Sequence, residues 1–164
     1  YREILEYMNK NARPEGKDYQ VTYYFRGPAD LRIQKNSKFS KIWLKKGKLH
    51  DRHREEIEVK FNRDDFDSLL GILRELGYEV DIEWRRERNM FAWKGIKVTV
   101  DHTIGYGHIV ELEKLIQSEN EKDKIYENLL DEMKTLGVEI TPREVFHEMF
   151  RDYRKNWRKI LGED

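Results

Sequence analysis

Hydrophobic and polar positions alternate with a period of two in several short stretches of the chain, the mark of strands with one buried face. The cleanest is 55–61, EEIEVKF, with Glu56, Glu58 and Lys60 on one side and Ile57, Val59 and Phe61 on the other. Residues 20–25, 31–34 and 41–45 predict three earlier strands, and 83–113 predicts three later ones with turns at Gly95 and at Gly105-Tyr106-Gly107. Helical spacing appears elsewhere. Ile4, Leu5 and Met8 share a face within 1–11, a segment that Pro14 and Gly16 are expected to close. Asn62 is placed to cap a helix with Asp65 reaching back, its stripe being Phe66, Leu69, Leu70 and Leu73, and Gly77 ends it. Past Leu115 the pattern is helical only. Ser118 and Glu121 have capping-box spacing before Ile125, Leu129 and Met133; Thr141-Pro142 opens a last helix whose inward residues are read as Val145, Phe146, Met149, Tyr153 and Trp157.

Every strand therefore carries one apolar and one polar face, and the helices carry apolar stripes that need cover. The simplest α+β arrangement lays the helices on the outer apolar side of an antiparallel sheet and curls the polar side inward. A closed or nearly closed barrel of about eight strands leaves a lumen wide enough for a small ligand. The competing arrangement is an open sheet whose charged face meets solvent.

Composition narrows the picture. The chain has 164 residues, 32 basic and 32 acidic, with no net formal charge, so no global field recruits nucleic acid or an anionic membrane. Charged residues make up 39% and mean hydropathy is −0.93, yet 12% aromatics and clear periodicity predict a folded protein, read as one domain over 1–164 with tunnel strands at about 19–115 and helices at about 118–161. Without cysteine there is no disulfide, thiolate zinc site or thiol nucleophile. No apolar run is long enough to span a bilayer and no signal peptide is present, so a cytoplasmic protein is expected.

The charges on the polar faces are grouped by strand. Arg86 and Arg88 share one face of one strand, Asp101 lies on the next, and Glu111 and Glu113 share one face of a third. Arg32 and Lys45 stand on earlier strands. Arginine forks suit phosphate oxygens and clustered carboxylates suit a hard divalent cation, so the combination predicts a metal-bound polyphosphate. A solvated face of mixed salt bridges would show no such grouping. His102 and His108 flank the acidic group and are a weaker candidate pair for a transition metal; His50 and His53 read as solvated. Trp43 and Trp84 read as core packing before base stacking.

The ordered strings LRIQ, KIWLKKG, Arg54-x-Glu56-x-Glu58, LRELGY, Arg86-x-Arg88, V-D at Asp101 and VELE closely resemble the CYTH family, the triphosphate tunnel metalloenzymes, over almost the whole chain. That family includes class IV adenylyl cyclases, thiamine triphosphatases and inorganic triphosphatases. The resemblance implies an eight-stranded antiparallel tunnel with Mg²⁺ or Mn²⁺ on acidic residues and basic residues on the triphosphate. It assigns Arg32, Lys45, Arg54, Arg86 and Arg88 to the substrate and Asp101, Glu111 and Glu113 to the metal. Glu58 and Glu56 either help bind metal or hold the arginines. Gln34 stands where a second arginine is usual. No catalytic residue emerges.

The family's first strand, E-x-E-x-K, has no counterpart at the start of the chain, because Glu56-Ile57-Glu58-Val59-Lys60 falls in the mid-chain position. Tyr1, inside a helical pattern, implies either a fragment or a real loss of that strand. Hydrolysis of tripolyphosphate, thiamine triphosphate or a nucleoside triphosphate is the first expected function. Cyclisation of ATP is the second, and binding without turnover follows if the strand is lost.

Overall fold

The computed structural model describes residues 1–46, 55–116 and 118–163. Its spine is a pair of long antiparallel strands, β1 (Arg13–Phe25) and β5 (Val80–Trp93), in register from Arg13↔Ala92 to Phe25↔Val80. On one side of this pair lie β2 (Asp30–Lys35), β3 (Ser40–Lys45) and β4 (Glu56–Phe61). On the other lie β6 (Ile96–Thr103) and β7 (Gly107–Glu113). The order is β4-β3-β2-β1-β5-β6-β7, antiparallel throughout, with α1 (Arg2–Asn11), α2 (Phe66–Glu75), α3 (Lys122–Thr135) and α4 (Arg143–Leu161) around it. Among the described residues the sheet has seven strands where the resemblance implies eight, and no backbone hydrogen bonds join its edges β4 and β7. The edges nevertheless face each other across a common space, since Glu56 and Glu58 of β4 and Glu111 and Glu113 of β7 line one cavity.

β1 begins seven residues before the stretch predicted from its β-branched and aromatic run. Pro14 and Gly16 do not end the chain's regular structure; they sit at a register shift near the start of β1, with Gly16 at φ +134°. Proline is tolerated at a strand's beginning or at a bulge, where a lost donor breaks no ladder, and the positive φ suits glycine.

The outer face of the sheet is covered as its alternation predicts, in two places. Met8 of α1 packs on Phe91, Trp93, Ile96, Val98 and Val100, and Phe66, Leu70 and Leu73 of α2 pack on Phe25 and Ile33. Ahead of α2, Asn62 accepts from the amide of Asp64 at 3.1 Å. The outer face of β4 stays uncovered by described residues, leaving Ile57 and Val59 exposed.

The last helix departs from expectation. Ile82 and Trp84 share the parity of Arg86 and Arg88, which is the lumen side, and it is against them that Tyr153 and Trp157 of α4 pack. α4 therefore stops one end of the lumen instead of covering the outer face. The Tyr153 hydroxyl donates to the Glu83 carbonyl at 2.8 Å and the Trp157 indole to the Asp81 carbonyl at 2.8 Å. In the β6–β7 turn, Gly105 at φ +73° lies so close under α4 that an added Cβ would run into Ile160. The buried stripe of α4 passes through Phe146, Phe150, Tyr153 and Trp157, while Val145 and Met149 are exposed. Tyr153→Phe should lower the unfolding free energy by about 1–2 kcal/mol, the cost of leaving a buried carbonyl without its donor, as read by urea denaturation.

Candidate functional site

The lumen is a cavity of about 720 Å³. It is built by strand parity. On β5, Trp84, Arg86 and Arg88 point inward in succession, and β1 sets Thr22, Gln20 and Asp18 directly opposite them. Across β6 from Arg88 stands Asp101, and on β7 Glu111 lies opposite Thr99 and Glu113 opposite Lys97. On the other flank Arg32 of β2 and Lys45 of β3 face inward, with Glu56 and Glu58 on β4. Eight of the ten residues singled out for substrate and metal (Arg32, Lys45, Glu56, Glu58, Arg86, Arg88, Glu111 and Glu113) line this one cavity, and Asp101 sits in its wall behind the two arginines. Arg54 lies outside the described residues.

Asp101 is wholly buried, and both its oxygens are taken by arginine. Arg88 Nε donates to Oδ1 and Oδ2 at 3.0 Å, Arg88 Nη2 donates to Oδ2 at 2.6 Å, and Arg86 Nη1 donates to Oδ2 at 3.3 Å. Burial pushes this carboxyl up against the pull of the two guanidinium groups. Arg88 also donates to Glu111 at 2.7 Å. Arg86 is held instead by the Gln20 side-chain oxygen at 3.0 Å, and both burial and neighbouring Arg88 lower its affinity for the proton. A buried cation disfavoured in this way gains most from an anion.

The other charges are paired too, within β2 and between β3 and β4. Arg32 grips Asp30 with two bonds of 2.6 Å and lies over the Tyr24 ring at 4.2 Å. Lys45 pairs with Glu56, and Lys41 pairs with Glu58 at 2.6 Å. The wall around Glu111 raises its carboxyl, but Arg88 and Arg86 outweigh that effect and hold it below the ordinary range, with Lys45 adding to the pull from the opposite flank. The side chains of Glu111 and Glu113 remain 56% and 58% exposed, so these oxygen donors stay reachable.

Sequence reading missed Gln20, which connects Arg86 to Gln34: the Gln34 amide donates to Thr22 at 2.9 Å and to Gln20 at 3.3 Å. Alternation of Asp18, Gln20, Thr22 and Tyr24 along β1 was the signal for it. Three side-chain polar atoms are buried without a hydrogen-bond partner among the described residues: the indole nitrogens of Trp43 and Trp84, and Thr103 Oγ1. Each such group costs about 1–3 kcal/mol. His102 and His108 sit on the outer side near Tyr1, whose ring stacks on His108 at 4.0 Å, away from the lumen.

A seven-stranded antiparallel sheet curled round a charged lumen, with arginines and carboxylates grouped by strand, defines the class. The CYTH domain model matches residues 3–141, and the chain belongs to the CYTH family. A Methanocaldococcus jannaschii protein named "Putative adenylate cyclase MJ0240" is 32% identical over 138 residues, which is 84% of this chain and 66% of that protein. The chain thus spans just under two thirds of that relative. The PH1819 protein of Pyrococcus horikoshii has the same fold, with a TM-score of 0.78 at 23% identity over 93% of this chain and 94% of that one. A Pyrococcus furiosus protein superposes with a TM-score of 0.68 at 26% identity, covering 84% and 85%. No helix among the described residues is long and apolar enough to cross a membrane.

Proposed function

We propose that this chain binds a triphosphate together with a divalent cation in its lumen and hydrolyses it. The observation that carries the reading is the arrangement along β5, β6 and β7: two inward arginines, a buried aspartate holding both, and two reachable glutamates beside them. Arg86 and Arg88 suit equatorial phosphate oxygens, and Arg32 and Lys45 approach from the opposite flank.

The donor set fits Mg²⁺ or Mn²⁺. Glu111 and Glu113 are hard oxygen donors two apart on one strand face, and such ions commonly take one or two carboxylates, leaving water and phosphate oxygens to complete the shell. Among the described residues no group of three or more His, Cys, Asp or Glu is placed to hold a metal ion. When bound, the cation would neutralise charge on the phosphate oxygens. Asp101, with both oxygens engaged, acts in this reading as the counter-ion that orients the arginines. Glu56 and Glu58 do the same for Lys45 and Lys41.

Cyclisation of ATP, with the ribose hydroxyl attacking in place of water, is the second reading, favoured by the name of the Methanocaldococcus relative. Phosphate release from tripolyphosphate, thiamine triphosphate and ATP, and cyclic AMP formation from ATP, measured with Mg²⁺ and with Mn²⁺, separate the readings. Binding of a triphosphate with neither product would leave a tunnel without turnover. Failure of all three compounds to bind would overturn the proposal. Arg86→Ala should weaken triphosphate binding by about 1.5–3 kcal/mol, the scale of a charge-assisted hydrogen bond, with the unfolding midpoint kept or raised.

A further inference from the structure

Outside the lumen, and sharing no lining residue with it, the described residues form a second hollow of about 460 Å³. It lies where the last turns of α2 and α4 meet the start of β5. Three arginines from three separate parts of the chain border it: Arg26 just after β1, Arg74 in the last turn of α2 and Arg158 in the last turn of α4. Among its described lining residues Glu79 is the one acid, so three guanidinium groups face one carboxylate. The chain as a whole is neutral, and this positive excess is therefore local. Gly77 forms part of the wall at φ +86°, where an added Cβ would meet nothing within 4 Å, and the exposed Tyr78 stands beside it.

The ordinary reasons for a surface arginine do not account for this grouping. A basic residue in a helix's last turn commonly caps free carbonyls or offsets the dipole. Here both helix ends are closed by the backbone: Gly77 and Tyr78 donate to the carbonyls of Arg74 and Leu73, and Gly162 and Glu163 to those of Lys159 and Arg158. Neither guanidinium is needed as a cap, and neither has a hydrogen-bond or ion-pair partner among the described residues. The dipole asks only for positive charge nearby, not for two side chains bordering one hollow. Arg158 lies over the Trp157 ring at 4.4 Å, which restrains it. Arg26 pairs with Glu79 at 3.1 Å and with Asp81 at 3.4 Å. It can turn to another anion at little cost, because Asp81 keeps Arg154 at 2.7 Å and the Glu79 side chain is 71% exposed to water.

We infer that this hollow is a second ligand site, which takes a phosphate monoester of a small molecule: the phosphate is held among Arg26, Arg74 and Arg158, and the organic part rests on Tyr78 over Gly77. Guanidinium forks from three directions match the three terminal oxygens of a dianionic phosphate, a demand that the two oxygens of a carboxylate do not make. The hollow is larger than one phosphate group needs and lies within the usual range of small-molecule sites. Phe25 holds the Tyr78 ring edge-on at 6.0 Å, so a fixed apolar surface stands beside the charges. The inference does not depend on what the lumen binds.

The test titrates the whole chain with phenyl phosphate, methyl phosphate and benzoate near neutral pH, where both esters are largely dianions, and follows backbone amide signals by two-dimensional NMR. Phenyl phosphate should shift Arg74, Gly77, Tyr78 and Arg158 together and saturably. It should bind at least about threefold more tightly than methyl phosphate, the worth of packing part of one ring, and more tightly than benzoate. Arg74→Gln and Arg158→Gln, both at exposed positions, should each weaken phenyl phosphate about three- to tenfold at these signals, while Arg86→Gln in the lumen leaves them unchanged. Shifts confined to lumen residues, or none that saturates at these four up to about 10 mM, would overturn the inference and leave the triphosphate reading untouched. Benzoate or methyl phosphate binding as tightly as phenyl phosphate would overturn it too, as would unchanged affinity in both arginine variants. The readout is resolved by residue, so failure of the lumen to bind a triphosphate would move none of these signals.

Discussion

Asp101→Ala should destabilise the protein by about 3–5 kcal/mol, as read from urea unfolding without ligand, because it leaves Arg86 and Arg88 inside the wall without the carboxylate they share. The aspartate has no exposed surface and accepts from both arginines, so water cannot take its place without opening the sheet. The outcome is diagnostic for a second reason. If these guanidinium groups bind phosphate, tripolyphosphate with Mg²⁺ should recover a larger share of stability in Asp101→Ala than in the wild type, since the ligand then takes the place of the shared carboxylate, leaving Arg88 otherwise only Glu111. A large loss without this recovery would make Asp101 a purely structural ion-pair partner.

Glu111→Gln should abolish metal-dependent turnover, with apparent Mn²⁺ affinity falling by more than the roughly 10–100-fold typical of losing a ligand's outer-shell partner. The argument is electrostatic. A neutral amide is a much poorer donor to a hard cation than a carboxylate, and Glu111 is the reachable carboxylate closest to the arginines, 2.7 Å from Arg88. The same substitution frees Arg88 from one of its two acids, so affinity for metal-free tripolyphosphate should hold or rise. Titrating Mn²⁺ into both proteins, with and without tripolyphosphate, checks this. Equal metal dependence in the two would remove Glu111 from the cation's shell. Glu113→Gln should act in the same direction with less effect on Arg88, because its partner is Lys97 at 3.0 Å.

The pH dependence follows from the same pair. Arg88 and Arg86 hold the Glu111 carboxyl below its ordinary range against the effect of burial. A carboxyl depressed on folding adds stability that is present above its unfolded pKa and lost as pH falls through the folded one. The Glu111 contribution should therefore be complete above the ordinary carboxylate range, decline as pH falls through that range, and be gone below the depressed value of the folded protein, as read from urea unfolding across pH. Glu58, raised by burial but depressed more by Lys41 and Lys60, should behave likewise on the opposite flank.

Most of the layout of the candidate site was readable from alternation and charge because both are local properties of a strand. Once 83–93 and 107–113 are extended, Arg86 shares a face with Arg88, and Glu111 with Glu113, whatever else the chain does. The apolar residues opposite them then decide which face looks inward. What alternation could not supply was the neighbour of each charge. That β1 lies beside β5, some sixty residues on, is a non-local pairing, and it alone brings Gln20 to Arg86 and makes the lumen continuous across the sheet. The role of Asp101 depends on its depth beneath two arginines, which spacing does not encode. The last helix is the plainest case: the buried stripe beginning at Phe146 and the one read through Val145 and Met149 differ by a single step around the helix, and both are apolar. Only the docking of α4 on Ile82, Trp84 and the Gly105 turn selects between them, and so closes the lumen with aromatic rings at one end while its charged end stays open to water.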